Sequence, residues 1–406
     1  MPLRFRTRGL ANSIFVALLV YIGVAVLIDR LTPQDIRLDV YAALAPLVAA
    51  ALCTYRQAVV VAVIDFVIMA GLSGLSPDDP NTVNRVSAVL GNALLAGASI
   101  AVARLLRERD ELLERLRVTG EAAQRALLRR LPLRSNDVVV DGFYVSSQRD
   151  ALVGGDIYEV VETPYGTRVL IGDVQGKGLR TLGAGAAVLT AFREAAFYRR
   201  SLTSGVDAME QGLRRYTRST GEDADDDGAW ERFVTALVLG VEQQDDQVAR
   251  AAQAVPLLFV DCGHLAPFVI RADGTVRELE PENPGLPLGL GDLLERPRSV
   301  QRVLVPAGSR IFACTDGVTE ARAPDGTFYP LADRLGGWAS LPTPELLARL
   351  RADLDAHTGG ELQDDAAALV MERATAGSGP SADGPPPDGP DGARREDGSA
   401  TGRVSG

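Results

Sequence analysis

The hydrophobic pattern divides the chain into two regimes. Apolar stretches fill most of the first hundred residues, at Ala11 to Ile28, Val40 to Cys53, Ala58 to Leu75 and Val86 to Leu105. A helix needs roughly 20 apolar residues to cross a bilayer. Three stretches meet that length, whereas the second is shorter and carries Pro46. Arg4, Arg6 and Arg8 precede the first stretch and Arg104, Arg107 and Arg109 follow the last, so both ends prefer the cytoplasmic side. An even number of crossings satisfies both, four by this count, with two as the alternative. No small-residue cleavage site followed by a polar segment marks a removable signal peptide. Asp65 lies inside the third stretch, where a central carboxylate costs about 2.5 to 3.5 kcal/mol on insertion scales. It is either a sensing or transport site or an acid hydrogen-bonded within a helix bundle.

From Arg104 to about Arg130 the pattern turns charged and helical, with Leu105, Leu112 and Leu116 at coiled-coil spacing. Two readings fit this short repeat: a signalling helix that pairs with its copy in a homodimer, or a solvated connector. Beyond it, strand-like runs at Val138 to Tyr144, Arg168 to Ile171, Phe233 to Val241, Pro256 to Val260, Pro267 to Arg271, Val303 to Pro306, Arg310 to Cys314 and Ala366 to Met371 surround helical patterns at Thr181 to Arg200 and Gly205 to Tyr216. A third helical pattern covers Pro344 to Leu354. Strands bracketing a helical block predict an α+β fold of stacked antiparallel sheets. The chain therefore divides into a membrane region (1–104), a helical linker (105–131), a mixed domain (132–373) and a tail (374–406) rich in Gly, Pro, Ser and Asp, whose composition predicts disorder.

Composition narrows the chemistry. Of 406 residues, 46% are hydrophobic, which is ample for a core, and a formal net charge of -11 argues against general nucleic-acid binding. Three scattered cysteines, Cys53, Cys262 and Cys314, suit neither a zinc site nor a disulfide framework. The only histidines are His264 and His357, so any bound metal must be held by oxygen, which favours magnesium or manganese over zinc.

The loop "LIGDVQGKGLR" at 170–180 is not a P-loop, because Ile171 stands where the first glycine belongs and Gly178 where Ser or Thr belongs. Its acid, Asp173, instead shares a local grammar with Asp156 in "GGDIYE", Asp316 in "FACTDGVTEAR" and the pair Asp364 and Asp365 in "LQDDAAALV". Two of these sites end strands and two begin them, so stacked sheets would bring all four to one rim. Clustered carboxylates repel strongly in a partly dry site, and two divalent cations would remove that repulsion. Two ions roughly 3.5 to 4 Å apart can activate a shared water for attack on phosphorus. No protein nucleophile is then required, and the chain has neither a G-x-S-x-G elbow nor a C-x5-R loop. Glycines beside Asp156 and Asp173 would allow close approach of substrate and metal.

The ordered series Gly154-Gly155-Asp156-Ile157-Tyr158, Gly172-Asp173-Val174-Gln175-Gly176-Lys177-Gly178, Phe233-Val234-Thr235-Ala236, Asp261-Cys262-Gly263-His264, Leu286-Pro287-Leu288-Gly289-Leu290, Thr315-Asp316-Gly317-Val318-Thr319-Glu320-Ala321 and Asp364-Asp365 resembles the SpoIIE-type branch of the metal-dependent PPM serine/threonine phosphatases. The resemblance covers about Ala122 to Arg373. It implies an αββα sandwich of two antiparallel sheets flanked by helices, preceded here by the all-α membrane region. It also implies a centre of two Mn2+ or Mg2+ ions held by Asp156, Asp173, Asp316 and Asp364, with Asp365 beside them and the carbonyl of Val174 as a further ligand. Two departures stand out: the family's second acid in its first motif is Glu159 here, and its usual N-A-G-H is Asp261-Cys262-Gly263-His264.

Other residues have two readings each. Lys177 contacts the substrate phosphate or is a solvated turn lysine; His264 donates a proton to the leaving oxygen or fixes a turn; Thr235 is catalytic or a strand residue. The acidic run Glu222 to Asp227 reads as a surface loop. The expectation is a multi-pass bacterial membrane protein with a cytoplasmic phosphatase domain, acting on phosphoserine or phosphothreonine of a regulatory protein. By the resemblance, that partner is an anti-sigma-factor antagonist. The rival reading is a catalytically silent receptor or scaffold that binds a phosphorylated partner.

Overall fold

The computed structural model describes residues 3–31, 44–75, 82–135, 138–146, 154–176, 178–220, 233–242 and 254–374. Lys177, the acidic run 222–227 and the tail after residue 374 lie outside the described residues. The chain forms two compact units, Met1–Ala123 and Gln124–Gly406.

The first unit contains helices α1 (Leu3–Leu31), α2 (Leu44–Leu52), α3 (Tyr55–Leu75) and most of α4 (Thr82–Leu127). Small residues let the helices approach closely: Ile22, Ala45, Ala49, Ala58, Val61 and Ala103 form one buried cluster. Gln57 Nε2 donates to Asn12 Oδ1 at 2.7 Å. Among the described residues, two helical stretches are long and apolar enough to cross a membrane, Gly9–Ile28 and Val86–Leu127. The second sequence stretch appears as α2, whose nine residues span about 14 Å at 1.5 Å per residue and are too short to cross alone. The apolar stretch after Val86 and the charged repeat after Arg104 form one helix, α4, because Leu, Ala, Arg and Glu sustain helix across the change in polarity. Asp65 is buried, and its Oδ1 has no hydrogen-bond partner among the described residues.

The second unit is an α+β sandwich of antiparallel sheets. One sheet has the order β1 (Leu133–Arg134), β2 (Val138–Val145), β11 (Ala366–Arg373), β10 (Arg310–Cys314), β7 (Phe268–Ile270), β8 (Val276–Glu278). The other runs β3 (Asp156–Thr163), β4 (Gly166–Val174), β5 (Val234–Glu242), β6 (Ala254–Cys262), β9 (Gln301–Pro306). Helices α5 (Leu179–Tyr198) and α6 (Leu202–Ser219) cover the second sheet, while α8 (Leu331–Gly337) and α9 (Thr343–Thr358) cover the first. A single turn, α7 (Asp316–Thr319), follows β10.

Period-two alternation explains the layering. Ile311 and Ala313 of β10, with Ala367, Leu369 and Met371 of β11, face the core shared with the second sheet. Phe312 and Cys314, with Ala366, Ala368 and Val370, face Leu346, Leu350 and Leu354 of α9. Both faces are covered, so these strands read as continuous apolar runs. Strand β3 is a further case: its first five residues are all buried and show no alternation, so the sequence marks only its start at Asp156. Helix α9 opens with Pro in its first turn and closes at Gly359, where φ is 67°.

Candidate metal centre

The acids gather at one rim because the strand ends meet there. In the β3–β4 hairpin Asp156 lies directly opposite Asp173, and Asp173 lies opposite Thr235 of β5. In the other sheet Cys314 pairs with Ala368, so the residues that leave β10 lie beside those that enter β11. Asp316 thereby falls near Asp364 and Asp365. Thr315 joins the two sheets: its hydroxyl donates to Asp156 Oδ2 at 2.7 Å, and the same oxygen accepts the Ala367 N–H at 2.9 Å. Asp364 Oδ1 accepts the Asp365 N–H at 2.9 Å.

Two glycines are required by this crowding. A Cβ at Gly154 would stand 1.7 Å from Asp365 Oδ2, and one at Gly155 would stand 2.3 Å from Asp173 Oδ1 and 2.7 Å from the Val174 carbonyl oxygen. Gly155 is held against β4 by a hydrogen bond from the Val174 N–H to its carbonyl, 3.1 Å.

Burial and mutual repulsion push the acids toward their neutral forms. Asp156 is raised well above the ordinary carboxylate range, first by burial and then by Asp173, with Thr315 opposing the rise. Asp173 is raised to about 7, by burial and then by Asp316, Asp364 and Asp365. Asp316 is raised by burial and then by Asp364 and Glu320. Such a set of coupled oxygen donors, with glycine backbone pressed against it, fits a hard divalent cation. Among the described residues no three His, Cys, Asp or Glu side chains converge tightly enough to hold a metal as they stand. Asp156 accepts a hydrogen bond from Thr315, and Asp364 one from the Asp365 N–H.

The other candidates separate clearly. Glu159 is fully buried but away from the rim, because three positions along a strand reverse the face. It pairs with Arg193 of α5 and, at 2.9 Å, with Arg129. Thr235 Oγ1 shares a 2.9 Å hydrogen bond with His264 Nδ1 and lies 3.3 Å from the Asp173 N–H that it accepts. The His264 backbone N–H donates to Asp261 Oδ1, and Gly285 N–H donates to Asp261 Oδ2. Burial lowers the His264 ring to about 4, which favours the neutral imidazole at pH 7. Cys262 is buried, and burial pushes its thiol up to about 12. His357 meets the edge of the Tyr329 ring and lies 3.1 Å from the Thr327 carbonyl.

Sequence reasoning missed two residues that touch the rim. Thr315 was visible only as the neighbour of Asp316. Gln124, near the end of α4, reaches the Gly154 to Asp156 backbone, and no local pattern points to it. A cavity of 580 Å3 lined by Tyr165, Arg168, Arg200 and Leu258 lies at the hairpin end of β3 and β4. That is about 20 Å from the acids at roughly 3.3 Å per residue.

The arrangement is that of a PP2C domain. The SiaA PP2C domain of Pseudomonas aeruginosa superposes with a TM-score of 0.50 at 21% identity, over 66% of this chain and 99% of that one. The RsbU and RsbW domains of a Mycobacterium tuberculosis protein align at 21% identity and a TM-score of 0.44, over 59% of this chain and 60% of that one. The phosphatase domain of SpoIIE from Bacillus subtilis, with a fragment of its regulatory domain, aligns at 17% identity and 0.45, over 59% and 64%. The chain thus spans less than two thirds of these last two structures. No curated protein sequence matches the chain. The family model for stage II sporulation protein E (SpoIIE) matches residues 163–374, and this chain belongs to that family. The match includes Asp173, Asp316, Asp364 and Asp365 and begins at Thr163, the last residue of the strand that carries Asp156.

Proposed function

We propose that this protein is a membrane-anchored, metal-dependent phosphatase that hydrolyses phosphoserine or phosphothreonine on a regulatory protein. The observation that carries the reading is the rim itself, where Asp156, Asp173, Asp316, Asp364 and Asp365 repel one another on strand ends of two sheets. Asp156, Asp173, Asp316 and Asp364 would hold the cations through carboxylate oxygens and Val174 through its carbonyl, with Asp365 beside them. Bound as a pair, Mn2+ or Mg2+ would lower the pKa of the attacking water and neutralise charge on the phosphoryl oxygens. Thr315 fixes the rotamer of Asp156 by occupying one of its oxygens. Gly154 and Gly155 leave room that any side chain would fill.

The anchoring is supported by apolar side chains that face outward on three helices, including Val16, Val20 and Leu27 of α1, Val63 and Val67 of α3, and Leu90 and Leu94 of α4. Four crossings would need the stretch around α2, which is too short to cross alone, so the topology proposed is two crossings, by Gly9–Ile28 and the apolar part of α4, with both ends cytoplasmic. A partner-switching substrate, an anti-sigma-factor antagonist, is the corresponding proposal for the partner, with α4 as the homodimer contact. A catalytically silent scaffold is the second reading, favoured by the departures from the family's motifs at Glu159 and Cys262.

Phosphate release from a phosphoserine protein by the full chain separates the two. The enzyme reading expects turnover with manganese, none with chelator and none in Asp173→Asn. A folded chain that binds manganese yet leaves several phosphoproteins intact would support the scaffold.

A further inference from the structure

The backbone from Gly154 to Asp156 has no side chain of its own to hold it until Asp156, and Asp156 is the residue it must aim. Gln124 supplies the missing support. Its Oε1 accepts the Gly154 N–H at 3.1 Å, and its Nε2 donates to the Asp156 carbonyl at 3.3 Å. Only this orientation of the amide satisfies both groups, since the reverse would set N–H against N–H and oxygen against oxygen. The glutamine is 4% exposed, and Gly154 and Asp156 are buried as well. Losing it would therefore strand a buried donor and a buried acceptor.

The residues that follow are fastened to the same strand and to helix α5. Arg193 donates to the Leu127 carbonyl at 2.7 Å, Tyr158 hydroxyl donates to the Arg129 carbonyl at 2.9 Å, and Arg129 pairs with Glu159. These contacts set where residues 124–129 lie along β3, and Gln124 is the one that reaches the metal-facing turn.

We infer that Gln124 is a positioning residue of the cation centre, holding the Gly154–Asp156 turn so that the Asp156 carboxylate and the Gly155 backbone face the acids of β4 and β11. This rests on the reading of the rim as a divalent-cation site. Groups that orient metal ligands typically change metal affinity by about 10-fold to 100-fold when removed.

The test uses the full chain in detergent, wild type and Gln124→Met, a substitution that keeps length and removes both hydrogen bonds. Manganese alone is titrated by calorimetry, and amide hydrogen exchange over residues 154–158 is followed in chelator. We expect manganese affinity to fall about tenfold, the Gly154 amide to exchange faster, and turnover to recover at saturating manganese. Unfolding in chelator should stay cooperative. Unchanged affinity together with unchanged exchange overturns the inference. Failure of the wild-type chain to bind manganese overturns the cation reading instead, and the inference about positioning falls with it. Should Gln124→Met fail to fold, Gln124→Asn, which keeps the amide but is one methylene too short, carries the same expectations.

Discussion

At Thr315 one hydroxyl serves two sheets, giving its hydrogen to Asp156 and accepting one from Ala367. Thr315→Val keeps the shape and removes both bonds, leaving a buried N–H unpaired. The expected loss is about 1 to 3 kcal/mol of stability, read from urea unfolding, together with weaker manganese binding because Asp156 is free to rotate. A loss confined to stability would mean that Thr315 is a strand residue only. The sequence showed this threonine but not its task. "FACTDG" marks the end of a strand, and nothing within it says that Asp156, 159 positions earlier, arrives opposite. Gln124 is the same case at a separation of 32 positions. Glu159 is a departure from the family's first motif. Its place in an acidic motif suggests the rim, while strand alternation, readable from the same residues, puts it on the helix side.

At the scale of elements, helix α5 is fixed to strand β3 by the fully buried Glu159 pairing with the partly exposed Arg193, and Arg129 adds a second cation from beyond α4. Removing one member of a buried pair usually costs about 3 to 5 kcal/mol, whereas replacing both with apolar groups is often close to neutral. Glu159→Leu is accordingly expected to lose about 3 kcal/mol, and Glu159→Leu with Arg193→Leu to lose less than the sum of the single changes. Additive losses in a double-mutant cycle would remove the pair as the joint between helix and strand. Most elements were readable because their patterns are local: β5, β6, β10 and α9 fall within a few residues of their sequence positions. Strand β3 was legible only at its start, Asp156, because its buried faces show no alternation, and β1 and β8 escaped because two or three residues carry no period.

At the scale of the whole molecule, the acid cluster couples metal binding to folding. A ligand that binds only the folded chain at 100 times its dissociation constant adds about 2.7 kcal/mol of stability. Manganese is therefore expected to raise the thermal midpoint of the second unit within the full chain, chelator to reverse the shift, and Asp173→Asn to abolish it. An identical shift in Asp173→Asn would place the bound manganese away from the rim. The apolar first unit belongs to this scale too, since its outward valines and leucines need lipid, detergent or another chain to cover them.

The sequence by itself determined the division into an apolar helical region and a mixed α/β region, the positions of most strands, and the acids at their ends. Each follows from local periodicity or composition, which a single segment carries alone. Only the tertiary structure decided that Asp156 and Asp173 stand opposite each other while Asp316, Asp364 and Asp365 approach from the second sheet. It also decided that Glu159 turns away and that Thr315 and Gln124 steady Asp156. Those relations depend on how two sheets stack and where a helix end docks, and the energy that selects them is spread over the whole buried core rather than written in any one motif.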